Sequence, residues 1–213
     1  MTAEKTGSLE RLRLEAASCQ ACPLWRNATQ TVFGEGPSDA KIVLVGEQPG
    51  DREDLAGRPF VGPAGLVLDR ALAEAGVDRS GVYVTNAVKH FKFEPRGKRR
   101  LHKRPNGAEI KACRRWLVEE IEAVRPQLVV ALGATAAESL AGRPMPIKSI
   151  RRALLELAGG QKAIFTIHPS AILRLRDDRE RRSAHDGFVR DLALIAKYLS
   201  RPEGVAGRRA TPT

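Results

Sequence analysis

The sequence is poor in cysteine and in acidic charge, and it has no long apolar run. Cysteine occurs three times in 213 residues, at Cys19, Cys22 and Cys113. An odd count cannot close fully into disulfides. In a reducing compartment the C-x-x-C pair points to redox work or metal ligation rather than to a structural bridge. No stretch reaches the roughly 20 apolar residues of a membrane span. No apolar segment follows Met1-Thr2-Ala3-Glu4-Lys5, so a secretory signal is not expected. The expectation is a cytoplasmic protein with no membrane partner. Asp and Glu number 25 against 36 Lys and Arg, a formal net charge of +11, and the pI is near 10.1. A basic excess of this size points to a polyanion, most simply nucleic acid, and would place the protein at the nucleoid. A GC-rich genome offers the alternative origin for so much arginine. No Gly-x-Gly-x-x-Gly follows the first strand signal, which argues against a nucleotide-binding Rossmann protein. There is no internal repeat.

What is present suits a soluble globular chain, 42% apolar and 29% charged, long enough for one domain with a sizeable core. The spacing predicts a short helix from Leu9 to Ala17 with Leu9, Leu12 and Ala16 on one face. It runs into Cys19-Gln20-Ala21-Cys22-Pro23. A redox C-x-x-C normally opens a helix after a strand; this one follows a helix and is halted by proline, which favours metal ligation. Strand signals follow at Lys41–Gly46, Val82–Asn86, Leu128–Gly133 and Ala163–His168. Three are nearly unbroken apolar runs, the mark of strands buried on both faces of a parallel sheet. Helical stretches lie between and after them, at about 64–75, 108–124, 135–141 and 184–199. Leu68, Ala71, Leu72 and Ala75 form one apolar stripe, and Ile110, Cys113, Leu117, Ile121 and Val124 another. The fold class expected is α/β: a single three-layer α/β/α domain around a central four-stranded parallel sheet. It should occupy residues 8–200, after a disordered 1–7 and before a disordered tail, 201–213. Residues 174–182 are a mixed-charge run, read as a solvated loop or a helix start.

Open α/β sheets bind ligands at the carboxyl ends of their strands, and there the unusual polar residues collect. The first strand ends in Gly46-Glu47-Gln48-Pro49-Gly50-Asp51, the second in Thr85-Asn86 and the fourth in His168-Pro169-Ser170. The third ends in Gly133-Ala134-Thr135, which allows close backbone approach or a helix start. Singly, each has a plain structural explanation: a turn, a cap, a half-buried histidine, or core packing for Phe60. Their convergence on one rim argues for a site. Between the second strand and the next helix lies Lys98-Arg99-Arg100-Leu101-His102, with Lys103 and Arg104 behind it. Such a loop can grip phosphates, and its imidazole could act on what the phosphates carry. For a metal, Cys19 and Cys22 form an edge and Cys113 a third thiolate. His90 is the nearest candidate for the fourth ligand and His185 a weaker one. Three Cys and one His suit structural zinc or an iron–sulfur cluster.

Gly46-Glu47-Gln48-Pro49-Gly50, Gly57-Arg58-Pro59-Phe60-Val61-Gly62-Pro63-Ala64-Gly65, Thr85-Asn86-Ala87-Val88-Lys89, Ala112-Cys113-Arg114-Arg115-Trp116-Leu117 and His168-Pro169-Ser170 resemble the uracil-DNA glycosylase superfamily, nearest its iron–sulfur family 4. The resemblance runs from about Leu14 to Leu199 with all motifs in order. Ordinary family 4 enzymes usually carry alanine at the place of Gln48 and cysteine at that of His90, and they lack an insertion like 96–103. Gln48, His90 and the Lys-Arg-Arg-x-His loop resemble the UdgX group, which excises uracil and becomes fixed to the sugar; Leu101 stands where isoleucine is more usual.

The resemblance implies a structural 4Fe-4S cluster on Cys19, Cys22, His90 and Cys113, with zinc as the alternative metal. It implies uracil-containing DNA as partner, preferably single-stranded, and a monomeric protein. Phe60 would stack on the base, and Asn86 would read O4 and N3–H, a pattern cytosine cannot match. His168 would donate to O2 as the leaving base gains charge. His102 would capture C1′, with Glu47 holding its other nitrogen. Gln48 and Asp51 would shape the pocket, Asp51 placing a water. Lys98, Arg99, Arg100, Ser170 and Arg174 would contact DNA. The rival readings are a turnover family 4 glycosylase, in which His102 only touches phosphate, and a non-catalytic nucleic-acid-binding module with a structural metal.

Overall fold

The computed structural model describes residues 2–200, so the expected disordered tail lies outside the described residues. The chain runs α1 (Thr2–Ala17), β1 (Ile42–Gly46), α2 (Asp51–Ala56), α3 (Pro63–Glu74), β2 (Val82–Asn86), β3 (Phe93–Arg96) and β4 (Arg99–His102). It continues through α4 (Gly107–Val124), β5 (Leu128–Leu132), α5 (Ala134–Ala141), α6 (Ile147–Ile150), β6 (Leu154–Glu156), β7 (Lys162–Thr166), α7 (Pro169–Leu173) and α8 (Asp178–Leu199). Among the described residues no helix is long and apolar enough to cross a membrane.

Unbroken apolar strands need cover on both faces, and the packing supplies it. Val43, Val45, Val129 and Ala131 point into one core with Leu12 and Ala16 of α1, Leu117 of α4 and Ala137 of α5. Their neighbours Ile42, Leu44, Val130 and Leu132 point into the other, with Leu68 and Leu72 of α3 and Phe188 and Leu192 of α8. The result is the expected three-layer α/β/α sandwich. The sheet order is β2-β1-β5-β7-β6. β1, β2, β5 and β7 are parallel, with Gly46 beside Asn86 and Leu132 beside Thr166, so their carboxyl ends share one rim. β1 connects outward to β2 on one side while β5 connects to β7 on the other, so the strand order switches between the parallel neighbours β1 and β5, and a crevice opens there.

Three features depart from the expectation. β6 adds a fifth, antiparallel edge strand on β7; at three residues with two exposed it has too little pattern to register. The basic loop is a hairpin, β3 against β4, with Phe93 opposite His102 and Arg96 opposite Arg99. Its two-residue turn is Gly97-Lys98, and Gly97 takes φ +58, as such turns require. Finally, α1 begins at Thr2 rather than Leu9, with Lys5 Nζ donating to the Val124 carbonyl at 2.8 Å, so residues 2–7 are helical rather than disordered. The mixed-charge run is a short loop over 174–177 and then the start of α8, where the Asp177 carboxylate caps Arg179 N and Glu180 N.

Candidate active site

A cavity of about 880 Å³ lies at the carboxyl ends of β1, β2, β5 and β7. Glu47, Gln48, Asp51, Phe60, Asn86, His102, His168, Ser170 and Arg174, singled out from five separate stretches of sequence, all line it. Lys98 and Arg99 do not; they sit at the hairpin tip.

Phe60 is held in a conformation that aromatic side chains avoid, φ +57. Glycines make room for it: a Cβ on Gly65 would fall 1.7 Å from the Phe60 carbonyl oxygen, and one on Gly46 would fall 2.7 Å from Phe60 Cζ. Glu53 ties the two flanking turns together, accepting from Gly62 N at 2.7 Å and Gly50 N at 3.1 Å. The ring stands over that of His168, centroids 6.3 Å apart and 28° from parallel.

Asn86 is buried beside Gly46, and its backbone carbonyl accepts from Lys89 Nζ at 2.7 Å. The fully buried ammonium also donates to Thr85 Oγ1 at 2.7 Å and to Glu120 at 2.5 Å. Glu120 further accepts from Thr85 Oγ1, Tyr83 OH and Gly34 N, so its charge is matched on every side. This network behind Asn86 escaped the sequence reading because its members are scattered from Gly34 to Glu120. The only local hint was Lys89 three residues after Asn86.

His168 caps α7. Its Nδ1 accepts from Ser170 N at 3.2 Å and lies 2.8 Å from Ser170 Oγ, which itself accepts from Arg174 Nη1 at 3.0 Å. A backbone N–H on Nδ1 places the ring proton on Nε2. Burial, with repulsion from His102 and Arg174, pushes the ring down to about 4, so it is neutral at pH 7 and can donate without carrying charge. Ser170 and Arg174, expected to touch DNA, are engaged with this ring.

The hairpin is clamped at its root by Gln48. Its Nε2 donates to the Lys92 and Lys103 carbonyls at 3.1 Å each, and its Oε1 accepts from Lys92 N at 3.1 Å. The amide thus spans both strand ends. Gln48→Ala is expected to loosen the hairpin locally by about 1–3 kcal/mol, seen as faster amide hydrogen exchange over residues 93–102 with the sheet unaffected. Arg100, expected on phosphate, is turned inward. It donates to Asp51 at 2.5 Å and to Asp54 at 2.6 Å and lies over the rings of Phe91 and Phe93. Its charge fastens the hairpin to α2, and Asp51 is its partner there.

That anchoring puts His102 at the cavity, Nε2 3.4 Å from Glu47 Oε1. The side chain is half-exposed; its partial desolvation lowers the His102 ring below its ordinary value, while Glu47 raises it and Arg174 lowers it. The other Glu47 oxygen accepts from Thr135 Oγ1 at 2.5 Å. In sequence, Thr135 is part of a turn that allows close backbone approach or a helix start, and nothing local pairs it with Glu47.

The three cysteines are free, and Cys19 and Cys22 pack against the same core cluster as buried Cys113. Cys19 Sγ accepts from Trp116 Nε1, and Cys113 Sγ from Lys89 N, both at 3.2 Å. Burial pushes the Cys113 thiol up to about 12, and a metal would be needed to hold it as thiolate. His90 Nε2 lies 2.9 Å from Thr31 Oγ1, whose hydroxyl proton goes to the Ala16 carbonyl at 3.0 Å. His90 therefore donates through Nε2 and keeps its Nδ1 lone pair, the arrangement of a ligating histidine. Burial lowers its ring, keeping it neutral. Among the described residues no three such donors gather round a single ion. The donor set, three thiols and one imidazole, fits iron–sulfur ligation, with zinc as the alternative metal. His185 pairs instead with Glu74 at 2.8 Å.

The family model of the Uracil DNA glycosylase superfamily matches residues 33–193. The chain is 41% identical over 180 residues to the type-4 uracil-DNA glycosylase of Thermotoga maritima, covering 84% of this chain and 90% of that protein. It is 34% identical over 194 residues to the type-4 enzyme of Pyrobaculum aerophilum, covering 88% and 92%. The figure for the Archaeoglobus fulgidus type-4 enzyme is 36% over 183 residues, covering 81% and 88%.

Proposed function

The chain belongs to the uracil-DNA glycosylase superfamily, and from that premise we propose that it excises uracil from DNA and then joins itself covalently to the deoxyribose C1′ through His102. One observation carries the second step: the hairpin brings His102 into the same cavity as Phe60, Asn86 and His168, with Glu47 beside its ring.

A flipped or single-stranded uracil enters between these residues; a single strand needs no unpairing, which favours it as substrate. Phe60 stacks on the ring, and the Asn86 amide donates to O4 and accepts from N3–H. The C1′–N1 bond breaks with its electron pair going to uracil, and the charge gathers on O2. The Nε2–H of neutral His168 donates to that oxygen. The sugar carbon is left oxocarbenium-like. The imidazole nitrogen that Glu47 does not hold carries the lone pair, and it forms the new C–N bond. The positive charge then on the ring is offset by Glu47 through the other N–H. Imidazole bound to the sugar is a poor leaving group, so the protein acts once, as a monomer. Lys98 and Arg99 at the hairpin tip would meet the backbone phosphates.

A 4Fe-4S cluster on Cys19, Cys22, His90 and Cys113 completes the proposal. It would be structural, tying the segment after α1 to α4 and to the chain that enters the hairpin. Iron in the purified protein supports it; stoichiometric zinc without iron contradicts it.

The functional test is stoichiometry. With uracil-DNA in excess, one uracil released per protein and one protein–DNA adduct are expected. Many uracils per protein with no adduct would assign the chain a turnover activity instead.

Acid separates the two steps. His102 attacks only when neutral, and its ring titrates below the ordinary 6.5. Adduct formation is therefore expected to be level above pH 6.5 and to fall below it as the ring protonates. His168 stays neutral down to about 4, so uracil release should persist into the range where capture fails. A single-turnover pH profile of each product checks this.

A further inference from the structure

We infer that the Thr135 hydroxyl is the positioning group that sets Glu47 and His102 in register; the inference rests on the capture step proposed above. Thr135 stands on the first turn of α5, at the carboxyl end of β5, directly across the switch in strand order from Glu47 at the end of β1. Its side chain is buried, and it lines the cavity. A threonine hydroxyl has one proton to give and lone pairs to accept with. The proton goes to Glu47 Oε2 at 2.5 Å. The oxygen accepts from Arg104 Nε at 3.2 Å, and Arg104 also reaches Glu138, one helical turn further along α5, at 3.5 Å.

Both members of the reacting pair are thus held at one atom. Glu47 is fixed directly, which leaves Oε1 as the oxygen that faces His102 Nε2. His102 is fixed through the chain, since Arg104 lies two residues beyond it, where β4 leaves the hairpin. Gln48 and Arg100 fasten the hairpin at its other contacts, to the β1 turn and to α2. Neither reaches α5. Thr135 supplies the missing third point, and it does so with a polarity that keeps Glu47 an acceptor. The residues that stack on the base, read it and take up its charge, Phe60, Asn86 and His168, make no bond to Thr135 oxygen. Its loss should therefore fall on who captures the sugar, protein or water, and not on base reading.

The experiment measures, on uracil-containing single-stranded DNA, the ratio of covalent adduct to uracil released for the wild type, Thr135→Val and Thr135→Ser. Valine keeps the shape and removes both bonds; serine restores the hydroxyl. Thr135→Val is expected to lower the ratio by about tenfold, because the pair loses its alignment, and Thr135→Ser to recover most of it. A general loss of structure would lower adduct and uracil together and leave the ratio unchanged. An unchanged ratio in Thr135→Val, or no recovery in Thr135→Ser, overturns the inference while the capture reading stands. No adduct from the wild type overturns the capture reading and the inference with it.

Discussion

His102→Ala abolishes the covalent adduct, and uracil release by that variant exceeds one per protein: this is the largest effect expected. The argument is one of competition for C1′. A nitrogen held at the cavity by Gln48, Arg100 and the Glu47 contact meets the sugar at an effective molarity on the order of 10⁵ M or more, which no mobile water matches. The His102 side chain is half-exposed at the cavity, and partial desolvation with the Arg174 charge outweighs Glu47 and holds the ring below its ordinary value, so its lone pair is available at pH 7. Alanine removes the nucleophile but leaves Phe60, Asn86 and His168 in place, and it opens the wall to water. The bond to uracil still breaks, the sugar is hydrolysed, and the protein turns over. Counting uracil against protein, with denaturing electrophoresis of the same samples, checks both halves.

The second large effect belongs to His168. His168→Ala is expected to slow uracil release by about 10²–10³-fold, the usual loss when a preorganised donor to a developing oxyanion is removed. The donor is well prepared here. Ser170 N holds Nδ1, the proton is on Nε2, and the ring stays uncharged down to about 4. A neutral donor in a shielded cavity stabilises the charge on O2 without itself having to be desolvated as a cation. Unlike His102→Ala, this variant loses uracil and adduct in step, because capture waits on bond breaking. Single-turnover rates of both products separate the two roles.

How far the sequence led depended on how local each feature was. Ile42–Gly46 and Leu128–Leu132 were legible because an unbroken apolar run has few homes other than a strand covered on both faces. The rim followed, since parallel strands bring Glu47, Asn86 and His168 to one side whatever their distance in sequence. The hairpin was not legible. Phe93–Arg96 and Arg99–His102 are charged, mostly exposed and only four residues each, and a pattern of burial cannot mark strands that bury so little. Roles that depend on a partner far along the chain were hidden for the same reason. Arg100 looked like a phosphate grip because nothing nearby announced Asp51 and Asp54. Gln48 and Thr135 were visible as rim residues, but that one clamps the hairpin and the other holds Glu47 emerges only from the packing. Lys89 and Glu120 are the extreme case, a buried pair 31 residues apart supporting the end of β2 at Asn86.

Capture of DNA by His102 is the central claim, and a denaturing gel tests it most directly. The protein is mixed with uracil-containing single-stranded DNA, with thymine-containing DNA alongside, and both are run after boiling in detergent. A band of protein joined to DNA, present with uracil, absent with thymine and absent from His102→Ala, is the predicted result. Free uracil with no surviving band, or a band that persists in His102→Ala, contradicts it.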